Sequence, residues 1–290
     1  MDGIAMIDMH QHLWNYRSAQ HLLAHQDVHG NRLTVVLPID GAADAARNVP
    51  ANDFPLADAW AACRAYPDRL IPFVHVDPRR PDAEDIIRRY HAEGARGFGE
   101  HKLHMPCDAP EAMAIYRLCG VLGLPVLLHL EYRNYNYNFE AFGQVVRSCP
   151  DTTFIGHAQA WWANVSADVP NDPDASGFSP YPTGPVVSGG LTDRWLSDLP
   201  NLHADLSAGS ALNALTRDQD FARDFVNRLR GKLMWATDCP CLDGKGAWRD
   251  GRTRPCLASQ SLTALRELCA DQETYDDITE RNARRMLKLD

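Results

Sequence analysis

No window of the 290 residues approaches the ~18 consecutive apolar residues of a membrane-spanning helix. The opening MDGIAMIDMHQHLW lacks the basic and apolar regions of a secretory signal. Positive charge is not in surplus: 29 Lys and Arg stand against 38 Asp and Glu, a formal net charge of -9. That balance argues against a general nucleic-acid binder, which needs a basic footprint to neutralise phosphates. It argues equally against anchoring to an anionic membrane surface. No CxxC pair occurs among the eight scattered cysteines, so neither a zinc finger nor a disulfide framework is suggested. Reduced thiols in a cytoplasmic protein are the expectation. Low-complexity tracts are missing too, and 45% hydrophobic with 23% charged residues is the composition of an ordinary globular protein.

What the chain does contain is one element repeated. Apolar, β-rich runs recur at Ile4–His10, Leu33–Ile39, Leu70–Val76, Ala95–Leu103, Pro125–Leu130, Thr152–His157, Leu202–Leu206 and Lys232–Thr237. Amphipathic stretches lie between them, among them Pro81–Gly94, Glu111–Leu122 and Asp218–Leu229. The first of these starts with proline and acidic residues and ends at glycine, as a helix should. Continuous apolar strands alternating with helices predict a parallel sheet covered on both faces. Eight such units predict an α/β fold of the TIM type, a closed (β/α)8 barrel occupying residues 1–290 as one domain. An open doubly wound sheet is the other solution, but no glycine-rich phosphate loop follows the first strand. After strand six, Trp161–Gly190 holds five prolines and four glycines in 30 residues. A loop that long reads as a lid over the C-terminal face, packed by Trp161, Trp162, Phe178 and Tyr181. Its tryptophans, expected to be exposed, could equally serve an interface in a homo-oligomer.

The chemistry concentrates at the strand ends. Asp8-Met9-His10-Gln11-His12 closes strand one, and alternation puts His10 and His12 on one face, ~7 Å apart along the strand. Alone, a pair of histidines so spaced says little. His129 closes strand five, His157 closes strand six, Asp238 closes strand eight, and Glu100 sits within strand four. Each is a polar ligand type in or just after an otherwise apolar strand, costly to bury unless paired or metal-bound. In a barrel these ends share the C-terminal mouth, where active sites sit.

DMHQH, the strand-five and strand-six histidines and the strand-eight Thr237-Asp238-Cys239-Pro240 resemble the amidohydrolase superfamily. More narrowly, they resemble its amidohydrolase-related branch of small metal-dependent hydrolases and decarboxylases. The ending Ile278–Leu287 (ITERNARRML) is similar to that branch's terminal helix, so the resemblance runs from about Ile7 to Leu287. It implies a distorted barrel with one or two divalent ions, zinc by default and manganese on the same ligands. His10, His12 and Asp238 would hold the first. His129 and His157 would hold a second, or one would join the first while the other assists catalysis. In two-ion members a Glu or a carboxylated Lys from strand three or four bridges the metals. Glu100 and Lys102 both stand in that place, and Glu100 is favoured because it needs no modification. Lys102 would then pair with Glu100 or contact an anionic substrate.

A divalent metal acidifies bound water and polarises a carbonyl, and a neighbouring carboxylate, here Asp238, acts as general base. The reading is hydrolysis of a small-molecule amide, lactone or ester, with His157 also catalytic. DMHQHLW resembles the start of small lactone hydrolases, and Glu100 favours a bridged pair. Non-oxidative decarboxylation of a carboxylated aromatic acid is the alternative. A binding or regulatory barrel would have lost a ligand type, and none is lost. Tyr135, in the aromatic and amide-rich loop after strand five, Trp161 in the lid and Arg249 after strand eight are the expected substrate contacts, beside Lys102. Asp205 is a candidate partner for a ligand histidine. His21, His25 and His29, at i, i+4 and i+8, are read as a solvated or lid-edge helix, because no HExxH accompanies them. Cys239 and Cys241 are read as buried and inert.

Overall fold

The computed structural model describes residues 6–39 and 55–289. Eight strands follow in chain order: β1 (Ile7–Gln11), β2 (Leu33–Val36), β3 (Leu70–Pro72), β4 (Phe98–His101), β5 (Val126–His129), β6 (Phe154–His157), β7 (Leu202–Asp205) and β8 (Leu233–Met234). The helices between and after them are α1 (Ala19–His29), α2 (Leu56–Ala65), α3 (Ala83–Ala92), α4 (Pro110–Leu122), α5 (Phe142–Ser148), α6 (Gln159–Ala163), α7 (Leu191–Asp198), α8 (Ala208–Thr216), α9 (Gln219–Arg228), α10 (Leu257–Leu268), α11 (Gln272–Asp276) and α12 (Asn282–Leu287). The boundaries have local causes. Helix α4 opens with Pro110, whose missing N–H has no partner to lose there, and stops at Gly123, which takes the left-handed conformation at φ 66°.

Strands β1 to β3 and β4 to β8 pair in parallel, each with the next. Two seams close the ring. Val74 N–H donates to Gly97 O and Gly99 N–H to Val74 O, both at 2.9 Å, which joins β3 to β4. Met9 N–H donates to Trp235 O at 3.2 Å, which joins β1 to β8. The fold is the (β/α)8 barrel expected from the alternating runs. Strand one begins at Ile7; Ile4 and Ala5 of the expected span lie outside the described residues.

The core has two layers. Inside the barrel, Ile7, Met9, Val35, Leu37, Ile71, Phe73, Leu127, Ile155, Met234 and Ala236 pack together, with Ala283 and Leu287 of α12 against one end. Outside it, Val74, Phe98, Val126, Leu128, Phe154, Leu202, Leu233 and Trp235 meet the apolar faces of the helices. Period-two alternation delivers the two sets: Leu127 and Ile155 point in, Leu128 and Phe154 point out.

The segment after β6 departs from expectation at its start. Its first residues are helix α6, and Trp161 and Trp162 are fully buried in the outer core. Trp161 lies against Gly156, where any β-carbon would meet the indole at 2.5 Å. Neither tryptophan is left for a pocket wall or an interface. Irregular chain occupies 164–190, and Arg133 of the loop after β5 reaches it through Asp172 and Asp174, at 2.6 and 2.7 Å. No helix of the described residues is long and apolar enough to cross a membrane.

Candidate metal centre

Six side chains converge at one mouth of the barrel. Glu100, on β4, stands at the middle with its two oxygens facing opposite ways. Oε2 lies 3.1 Å from His12 Nε2 and 3.9 Å from His10 Nε2. Oε1 lies 2.6 Å from His129 Nδ1 and 3.6 Å from His157 Nε2. Asp238 Oδ1 is 3.6 Å from His12 Nε2. His10, His12 and Glu100 form one close set of ligand atoms, and Glu100, His129 and His157 form another; His10, His157 and Asp238 form a third.

Two irregularities aim these groups. Ile7 and Met9 belong to the inner core, so simple alternation would turn His10 out toward the helices. The pairing register of β1 shifts between Asp8 and Gln11. Phe98 belongs to the outer core, so alternation would turn Glu100 outward as well, and the register of β4 shifts between Phe98 and His101. An extra residue of this kind re-aims a side chain, and such bulges gather beside active sites. His101 does face outward, bonded to His75 at 3.2 Å and edge-on to Tyr116.

The donor set fits a cation. His12 Nδ1 lies 2.8 Å from Leu37 O, which can only accept, so Nδ1 carries a proton and the tautomer it selects leaves Nε2 bare. His10 Nδ1 donates to Asp205 Oδ2 at 2.7 Å, and burial lowers the His10 pKa although Asp205 opposes it. Its Nε2 is therefore bare too. These two lone pairs face each other at 3.1 Å, beside a buried Glu100 Oε2 that lacks hydrogen-bond geometry to any donor. Lone pairs and an orphaned carboxylate oxygen pointing at one space are repulsive alone and complementary to a metal ion.

The outer partners are ordered. Asp205 Oδ2 holds His10 and its Oδ1 holds His157 Nδ1 at 3.0 Å; Ser207 Oγ adds 2.8 Å to the same nitrogen and donates to Asp205 at 2.7 Å. Burial favours the neutral Asp205 acid, but His157 and His10 outweigh it and hold the carboxyl well below the usual range. His157 is pushed the other way, to about 8: burial opposes its charge, and Asp205 and Glu100 outweigh burial. His129 Nε2 meets Glu131 Oε2 at 3.0 Å. Asp8, fully buried, accepts from Thr237 N–H at 2.9 Å and Thr237 Oγ1 at 2.6 Å, and Asp238 N–H donates to His10 O at 2.8 Å. The end of β1 and the chain after β8 are thus tied together where His12 and Asp238 emerge. Asp8, Glu131 and Ser207 were not singled out from sequence, although each follows or precedes a ligand histidine or strand end at a spacing of two or fewer residues from His10, His129 or Asp205.

Asp205→Asn leaves the size of the side chain unchanged but removes the charge that fixes both imidazoles. Metal affinity is expected to fall by about 10–100-fold, the usual cost of losing an outer partner. Competition with a chelator measures it; an unchanged affinity would deny Asp205 this role.

The other sequence-predicted residues scatter. Lys102 is not in ion-pair contact with Glu100; its Nζ lies over the Tyr135 ring, 5.3 Å from the centroid, and Tyr135 meets His129 edge-on at 5.4 Å. Burial would lower the lysine pKa, but Glu100 and Asp238 outweigh it and raise it. Burial would raise the Glu100 pKa, and Lys102 with His129 holds it well below the carboxylate range. Arg249 is exposed and lies over Tyr16, 5.1 Å from its centroid; Tyr16 stacks on Trp14, and Trp14 meets His12 at 5.3 Å. Trp161 is in the core, and from its segment Tyr181 comes within electrostatic reach of Glu131, Asp238 and Lys102. His25 is not on a solvated face: it is buried, as are Cys239, Cys241 and Cys256 beside it.

Comparison with known proteins adds the lineage. The family model described as amidohydrolase matches residues 7–178. None of the curated proteins matches the chain. An amidohydrolase from Burkholderia multivorans with bound zinc has a similar structure, with a TM-score of 0.63 at 14% identity over 99% of this chain and 100% of that one. A probable 2-pyrone-4,6-dicarboxylic acid hydrolase from Acinetobacter baumannii, with citric acid bound, gives 0.60 at 14% identity over 98% and 99%. A 5-carboxyvanillate decarboxylase from Novosphingobium aromaticivorans, complexed with manganese and a nitrobenzoic acid, gives 0.59 at 13% identity over 99% and 97%. At these identities the likeness is one of fold.

Proposed function

The chain belongs to the amidohydrolase family and is an enzyme of that type, and we propose that it hydrolyses a small-molecule amide, lactone or ester at a divalent metal centre. The ligands in this reading are His10, His12, Glu100, His129, His157 and Asp238. The observation that carries it is the two-sided placement of Glu100, one oxygen toward His10 and His12 and the other toward His129 and His157. A carboxylate so placed would hold one ion with each oxygen, an arrangement suited to hydrolytic displacement. Zinc is the assignment for these ligands and manganese is compatible with them; the Burkholderia protein has zinc bound and the Novosphingobium protein manganese. When bound, the metal supplies Lewis-acid polarisation of the scissile carbonyl and lowers the pKa of water.

The protein's own groups do the rest. The Asp238 side chain is 26% exposed, whereas the other five ligands are between 0% and 7%. Asp238 is thus the one that water and substrate reach, and it takes the proton from the attacking water and returns it to the leaving group. His157, fixed at Nδ1 by Asp205 and Ser207, presents Nε2 to the centre, where it would hold an ion or, in a one-ion centre, contact the reacting carbonyl. Lys102 and Arg249 attract an anionic group of the substrate, and Tyr135 flanks it.

Decarboxylation of a carboxylated aromatic acid is the second reading, favoured by the Lys102 ammonium seated on the Tyr135 face, a pairing that suits a ring carboxylate. A panel of lactones, amides, esters and carboxylated aromatics, assayed with zinc or manganese in isotope-labelled water, separates the two. Label in the acid product and no carbon dioxide is the expected result. Carbon dioxide from an aromatic acid would replace hydrolysis by decarboxylation, and no turnover of any class by the metal-loaded protein would remove both.

A further inference from the structure

A second cluster of metal-ligand side chains, sharing no residue with the first, lies at the seam where the barrel closes. His25 and His29, one turn apart on α1, both direct Nε2 at the same sulfur, Cys256 Sγ, each at 3.3 Å. Cys256 precedes the first residue of α10. Its Sγ is also 3.5 Å from Cys239 Sγ, and Cys241 completes a close triad with those two. We propose that His25, His29 and Cys256, with Cys239 or Cys241 as the fourth ligand, form a structural zinc site that pins helix α1 to the chain after β8.

The geometry fits zinc. Tetrahedral zinc with Zn–S of ~2.3 Å and Zn–N of ~2.0–2.1 Å sets its ligand atoms about 3.3–3.8 Å apart, and the three measured separations lie in that range. A thiol has one proton and cannot donate to both imidazoles, whereas a thiolate and two imidazoles serve one cation together. The surroundings supply the matching charge. Arg17 is fully buried, its Nε and Nη2 have no hydrogen-bond partner, and the acidic groups around it are Cys239, Asp8, Cys241 and Tyr16. Nη1 donates to Gln11 Oε1, but two buried guanidinium nitrogens left unsatisfied are costly, and thiolates beside them lower that cost. Gly246 N–H donates to Cys241 Sγ at 3.1 Å, the kind of support that ligating sulfur receives. The loop is also held close to the helix: at Gly244, with φ +72°, a β-carbon would meet Val28 Cβ at 2.9 Å.

The site has a consequence for the mouth. Helix α1 follows the strand that carries His10 and His12, and Cys239 follows Asp238 directly. An ion here fixes the two segments that must stay in register for those ligands to meet.

The test uses the whole protein, purified reduced and loaded with zinc or with cobalt(II). The wild-type chain is expected to show a sulfur-to-cobalt charge-transfer band in the near ultraviolet, and Cys256→Ser and His29→Ala are each expected to hold one zinc fewer per chain. The main centre contains no sulfur, so the band reports this site alone. Equal zinc in the wild type and both variants, or cobalt bound without the band, would overturn the proposal. So would two thiols lost to alkylation with or without chelator, which would show a Cys239–Cys256 disulfide in place of a metal. If Cys256→Ser does not fold, His29→Ala, whose ring is only partly buried, and the wild-type spectrum still decide. Failure of the main centre would instead remove metal bound without the band, so the two outcomes are distinguishable.

Discussion

Glu100→Gln is expected to abolish turnover and to release the ions of the main centre together. Glutamine keeps the shape and packing of the side chain but presents an amide where four imidazoles face a carboxylate. The loss in turnover should exceed the 10–100-fold typical of removing a partner one step further from the metal. Elemental analysis beside circular dichroism checks it. A fall of two ions per chain relative to the wild type, with the fold retained, agrees with one oxygen serving each histidine pair. A fall of one would make the centre mononuclear, with Glu100 a ligand but no bridge. Unchanged metal content and turnover would take Glu100 out of the centre altogether. The thiolate cluster at the seam does not contact Glu100, so its zinc should persist in this variant.

Asp238→Asn is expected to lower kcat by about 10²–10⁴-fold, the range for losing a positioned acid–base group, while the protein stays folded. Asparagine is the informative substitution for a backbone reason. Asp238 has φ +44°, in the left-handed region that Asn adopts at less cost than alanine. The variant therefore tests the carboxylate and not the turn. Steady-state kinetics with the substrate found in the panel give the answer, and full activity would refute the role. Ala158 and Ala208, which follow the ends of β6 and β7, also have positive φ, at 84° and 63°. Strain of this kind at three successive strand ends around one mouth belongs to a site that the surrounding barrel over-determines.

Much of this was legible in the residues. The eight apolar runs became the eight strands, because a strand buried on both faces must be apolar throughout and such runs are visible without any contact information. The six convergent side chains were legible because a His or carboxylate at the end of an apolar run is out of place unless the end is a site. The substrate contacts were harder. Trp161 sits in a proline-rich stretch that looked like an open loop, yet its indole fills the space left by Gly156, a packing relation that no local pattern encodes. His25 was read as solvated because no HExxH accompanies it, and what covers it is a loop more than 200 residues away in sequence.

By itself, then, the sequence determined the periodic features: strand and helix alternation, closure into a barrel, and a mouth rich in histidine and carboxylate. These depend on residue type and spacing along one element, which short-range physics controls. Tertiary structure decided which way His10 and Glu100 point, since register shifts in β1 and β4 overrule simple alternation. It also decided that Asp205 serves two histidines at once and that His25, His29 and three cysteines meet. Each of those contacts joins residues far apart in the chain, and only the closing of the ring between β8 and β1 brings the last of them within reach of a single ion.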